Sequence, residues 1–168
     1  TGSKKESNFH VVDSEYRGLA ALDAVTAIVI AEGYATADTL SQALSCPVVA
    51  AFDSGNLLKV AQVLQNKYPQ KPIVIAGDDD LTQESINGKN PGKEKAMEAA
   101  QLVNGAVVLP IFAPGEQMSQ QLSDFNDLAN KSVLGIEAVK RQVGSVVEKA
   151  SQQAKQDSLL KLQAPIEP

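Results

Sequence analysis

Four apolar runs punctuate the chain at regular intervals. Residues 26–31, 47–52, 72–77 and 105–110 are short and rich in Val, Ile and Ala. A run of this kind with no polar alternation fits a strand buried on both faces, as in a parallel sheet. The segments between them carry the other period. Leu57, Val60, Ala61 and Leu64 recur at helical spacing and predict an amphipathic helix over 57–68. Ala37, Leu40 and Leu44 share one face of a helix expected over 36–44, and a further helix is expected over 93–103. The polar stretches 78–92 and 113–125 are read as loops.

The resulting β-α-β-α-β-α-β order predicts an α/β fold. Its core would be a small, Rossmann-like, mostly parallel sheet of about four strands. Helices would lie on both faces, with right-handed crossovers. Residues 9–12 suggest one more short strand, and 15–24 a turn with a short helix. From 133 to about 162 the pattern is helical and polar, with a stripe of Ile136, Val139, Val143, Val146 and Val147. The expected division is a loose remnant at 1–8, a catalytic domain at 9–131, and a C-terminal helix and tail at 132–168, where Pro165 and Pro168 mark the tail.

Composition narrows the function classes. With 43% hydrophobic and only 4% aromatic residues among 168, the core is aliphatic. A formal charge of −5 argues against a protein that coats DNA by charge alone, but not against one that meets it through a metal ion. The chain has one Cys (Cys46) and one His (His10), so neither a disulfide nor a zinc site is expected. No membrane span or leader is visible. A cytoplasmic location is expected. The opening Thr1-Gly2-Ser3 lacks Met and is what a piece of a longer protein would show.

In open parallel sheets, sites form beyond the carboxyl ends of the strands. The first buried strand ends in Glu32-Gly33, the second in Asp53-Ser54-Gly55-Asn56 and the third in Asp78-Asp79-Asp80. Asp124-Phe125-Asn126-Asp127 follows the fourth strand and its loop. Carboxylates so crowded repel unless a cation joins them, and Mg²⁺, or Mn²⁺ in its place, suits hard oxygen ligands. Extended residues two apart point the same way, so Asp78 and Asp80 are expected to face one ion with Asp79 turned aside. Glu32, at a neighbouring strand end, would act as acid or base or help place an ion. Each motif alone also fits a solvated loop. Lys93 and Lys95 open a helix behind Asn90-Pro91-Gly92, where a triphosphate or DNA backbone could be held, or where there is only a surface turn. The P-loop pattern and a Ser-His-Asp set are absent.

These residues resemble a known family. Ile28-Val-Ile-Ala-Glu32-Gly33-Tyr34-Ala35-Thr36-Ala37 is similar to the first Toprim motif, and Ile73-Val-Ile-Ala-Gly-Asp78-Asp79-Asp80 to the second. Within that family the chain resembles the conjugation-type (TraC-like) primases of plasmids and phages. That likeness rests also on the segments 49–57, 90–96 and 124–128, and it extends over about residues 9–139.

The resemblance implies Glu32 as the catalytic or metal-positioning acid, and Asp78 and Asp80 as Mg²⁺ ligands. Lys93, Lys95 and Asn90 would contact nucleotide or DNA. Asp124 and Asp127 would extend the acidic site, unless Asp124 simply caps a helix. The implied activity is primer synthesis by nucleotidyl transfer, with single-stranded DNA and nucleoside triphosphates as partners. The zinc module and further N-terminal sequence usual in such primases are not in this chain. A Toprim nuclease and a non-catalytic docking domain are the alternatives. A receiver-like phosphorylation domain fits less well, because it needs an acidic pair after the first strand.

Overall fold

The computed structural model describes residues 8–165. Its strands are β1 (His10–Val12), β2 (Ile28–Ala31), β3 (Val48–Ala50), β4 (Ile73–Ala76) and β5 (Ala106–Val108). They form one sheet in the order β1-β3-β2-β4-β5. Four are mutually parallel, and β1 runs antiparallel along β3 at the edge. The sheet thus has five strands rather than about four. The extra one is the short strand suggested at 9–12.

The helices are α1 (Tyr34–Leu44), α2 (Ser54–Lys67), α3 (Leu81–Asn87), α4 (Pro91–Leu102), α5 (Glu116–Gln120), α6 (Phe125–Asn130) and α7 (Gly135–Gln163), with a 3₁₀ turn at Gly18–Asp23. Alternation within each strand divides the apolar side chains between two cores. Val29, Ala31, Val74 and Ala76 pack with α1, α6 and the first turns of α7 around Phe125. Ile28, Ile30, Ile73 and Ile75 pack with α2 and α4 around Leu57 and Leu64. Two glycines let the layers close up. A Cβ on Gly77 would meet that of Ala96 on α4 at 2.6 Å, and one on Gly105 would run into the Ile73 carbonyl.

Two short helices replace expected loop. The 78–92 stretch holds α3, which begins at an Asp80 cap and ends at Gly88, where φ is +70°. The 113–125 stretch holds α5, and α6 follows directly on it. Helix α3 buries no side chain, so it has no apolar stripe to betray it. The longer helices begin earlier than their stripes, since their first turns are small or polar. Ser54-Gly55-Asn56 is the opening of α2 under an Asp53 cap.

Helix α7 spans 29 residues, with Ala138, Val139 and Val143 buried and Ile136 of the predicted stripe 41% exposed. No helix among the described residues is long and apolar enough to cross a membrane. The expectation for 1–8 falls almost wholly outside the described residues. Asn8, which is described, accepts a hydrogen bond on its carbonyl from Asn56 Nδ2 (2.7 Å). Pro168 also lies outside them.

Candidate functional site

Strand β2 lies between β3 and β4, with Ala31 level with Ala50 on one side and Ala76 on the other. The residues just past those ends therefore meet on one rim. Glu32 takes the centre, with Asp53 on the β3 side and Asp78 on the β4 side. Acids so placed raise the affinity of Glu32 and of Asp78 for protons. Burial, then the charge of Asp53, lifts the Glu32 carboxyl above its ordinary range. The Ser54 N–H at the start of α2 donates to that carboxylate and opposes the rise. Asp78 is pushed up to about 7, first by burial and then by the charges of Glu32, Asp124, Asp127 and Asp80.

Asp78 Oδ1 is buried and has no hydrogen-bond partner, the sole such side-chain oxygen or nitrogen among the described residues. An orphaned buried acceptor is costly unless something outside the protein completes it. The N-terminus of α4 closes over the pair. A Cβ on Gly92 would lie 3.1 Å from Asp78 Cβ and 3.6 Å from Glu32 Oε2. The absent side chain keeps this space open, and the helix N-terminus favours negative charge there.

The donor set fits a hard divalent cation. Two carboxylates are at hand, one with an unused buried oxygen. Mg²⁺ is commonly held by one or two carboxylates, with water and substrate phosphate filling its shell. Among the described residues no three His, Cys, Asp or Glu side chains already converge as a closed cage. Asp80 shows why. Its Oδ1 caps α3 by accepting from the Gln83 N–H (2.9 Å), and its charge is the smallest of the four acting on Asp78.

Asp79 points away from Asp78, toward Asn90 Nδ2 (2.8 Å) and Lys93 Nζ (3.9 Å). Asn90 is only 3% exposed. Its amide also donates to Glu84 Oε2 (2.8 Å), and its Oδ1 accepts from the Asp80 N–H (3.2 Å). The side chain expected to touch nucleotide is thus committed to bracing the 78–80 turn. Lys93 stays beside the acids. Lys95 pairs with Glu98 along α4 (3.1 Å).

Asp124 does two things. Its Oδ1 caps α6 by accepting from the Asp127 N–H (2.7 Å), and its charge still bears on Glu32 and Asp78. Its own carboxyl is raised, chiefly by burial. Asp127 is oppositely placed. Burial pushes it up, but Lys131 Nζ (2.7 Å) and the Ser123 N–H (2.9 Å) hold it below the ordinary range. The Ser54 amide on Glu32 and the Gly92 opening are the parts of the site that motif reading missed. A separate cleft of about 440 Å³ lies between β1 and α1, lined by Asp13, Arg17, Tyr34 and Cys46 among others; neither Glu32 nor Asp78 lines it.

Comparison with known proteins gives a consistent result. A family profile described as Toprim domain matches residues 27–133. Two proteins from Escherichia coli, each named DNA primase TraC, are similar to the chain. One is 38% identical over 92% of this chain and 14% of its own length, and the other 41% identical over 88% and 19%. The chain therefore spans less than a fifth of those relatives. No solved structure matches it significantly. The profile covers more than half of the chain and contains Glu32, Asp78 and every strand of the parallel sheet. The chain belongs to the Toprim domain family.

Proposed function

We propose that this chain is the Toprim catalytic module of a DNA primase, spanning residues 9–131, with 132–168 as a helix, packed on that module by its first turns, and a tail. It would join nucleoside triphosphates into a primer on single-stranded DNA in the cytoplasm, within a longer plasmid or phage protein that supplies further N-terminal domains. The observation that carries this reading is the unpartnered Asp78 Oδ1 beside Glu32, under the N-terminus of α4.

In this reading Asp78 and Glu32 hold Mg²⁺ or Mn²⁺, with Asp124 adding negative charge and Asp80 at the edge. Bound there, the ion supplies neutralisation of the triphosphate and of the charge developing on the leaving phosphate. Glu32 takes the proton from the attacking 3′-hydroxyl. Lys93 and the amides at the start of α4 attract phosphate, and Asn90 keeps the 78–80 turn in place.

Glu32→Gln keeps the shape and removes the base. In the full-length parent protein it is expected to lower ribonucleotide incorporation on single-stranded DNA by about 10²-fold or more. Thermal unfolding of the variant should stay close to wild type. Full incorporation by a well-folded Glu32→Gln protein would end this assignment. Strand cleavage without incorporation would instead point to a Toprim nuclease, with water in place of the 3′-hydroxyl.

A further inference from the structure

The turn between β3 and α2 holds an aromatic ring in a place that folding does not favour. Phe112 and Phe125 are buried, whereas Phe52 is 54% exposed. Its backbone is left-handed, with φ at +75°, a conformation natural to Gly and Asn and unfavourable for a bulky residue. Its neighbours are tied down on both sides. The Ala51 N–H donates to the Ala31 carbonyl (2.9 Å), and the Ala51 carbonyl accepts from Asn56 Nδ2 (2.8 Å). Asp53 caps α2 by accepting from the Asn56 N–H (2.7 Å). Between these fixed points Phe52 is turned outward.

The same turn forms part of the acidic rim. Ser54, two residues on, gives its N–H to Glu32, and Asp53 acts on Glu32 through its charge. A strained residue displaying an apolar ring beside a charged site is a sign of use. The surrounding charges argue for a nucleobase over an apolar protein partner, because a base brings a flat π face and a polar edge that tolerates water. Among the described residues, Lys93 is shared between this rim and Asp79, and Lys95 pairs with Glu98. In a chain with a net charge of −5, a contact that does not depend on charge adds to what a metal ion and Lys93 supply. Stacking on an aromatic face is such a contact.

We infer that Phe52 is a stacking platform for a nucleobase at the Glu32–Asp78 site. This rests on the primase reading above. The base belongs either to the template strand or to an incoming nucleoside triphosphate, and both offer the same π face.

The chain contains no Trp, so Phe52→Trp installs a single fluorescent reporter. Titrate the 168-residue Phe52→Trp chain, with Mg²⁺ present, with a single-stranded deoxyoligonucleotide, with the same-length abasic strand, and with ATP. Expected is saturable quenching by the oligonucleotide, by ATP, or by both, and none by the abasic strand. Quenching by the oligonucleotide alone assigns the template base, and by ATP alone the incoming nucleotide.

Phe52→Leu keeps bulk without the π face. It should weaken binding of the quenching ligand about tenfold at an unchanged melting temperature, while Phe52→Tyr restores it. Absence of quenching, with equal binding by wild type, Leu and Tyr variants, would overturn the inference and leave the primase reading intact. If the wild-type chain bound neither oligonucleotide nor ATP, the nucleic-acid reading would fail and this inference with it.

Discussion

Asp78 is where the chain concentrates its unfavourable electrostatics. Its carboxyl moves from an ordinary 3.8 to about 7 in the folded protein. Between those values the folded state keeps a proton that the unfolded chain has released. Stability of the metal-free protein therefore falls as pH rises through this window, and the loss is complete above about 7. Roughly 4 kcal/mol is the upper bound for a shift of this size. Thermal melts of the metal-free chain from pH 5 to 8 should show a falling midpoint, and Asp78→Asn should flatten most of that slope. An unchanged slope in the variant would remove Asp78 from the account. The same titration governs metal affinity: a cation must displace the proton, so binding should strengthen toward pH 8 and release protons below it. At this scale Glu32 and Asp78 were readable in the sequence, because each directly follows an apolar strand. The Ser54 amide on Glu32 was not, since the start of α2 is Ser-Gly-Asn and resembles a turn.

The elements around the acids are built to hold them still. Helix α3 is capped at one end by Asp80 and closed at the other by Gly88. Asn90 joins its side chain to Asp79, Glu84 and the Asp80 backbone. Removing that amide takes a partner from the half-buried Asp79 and Glu84 carboxylates and from the Asp80 N–H, so Asn90→Ala should cost about 1–3 kcal/mol in denaturant unfolding. It should also weaken Mg²⁺ binding by freeing the 78–80 turn. A variant of unchanged stability with raised KM for nucleotide would instead make Asn90 a substrate contact, as the motif resemblance implied. The parallel strands and long helices were legible because their apolar periods are strong. Helices α3 and α5 were not, being held by caps and turns rather than stripes. Strand pairing was equally hidden. Nothing in His10-Val11-Val12 says that it lies antiparallel on β3.

Across the whole molecule, two aliphatic cores clamp one sheet and bring acids from distant segments to a single rim. The arrangement is stable enough to fold but electrostatically incomplete at Asp78. The long α7 is anchored by Ala138, Val139 and Val143, and beyond that its surface is mainly exposed, with Leu159, Leu160 and Leu162 open to solvent. Membership of the Toprim family and likeness to part of two much longer primases explain why so much acid sits at one edge of a small domain.

In the proposed function a divalent cation completes this edge. The most direct test is calorimetric titration of Mg²⁺, and of Mn²⁺ in parallel, into the 168-residue chain at pH 8, beside Asp78→Asn. One saturable site is expected in the wild type and none in the variant. Equal binding by both proteins would place any cation elsewhere and contradict it.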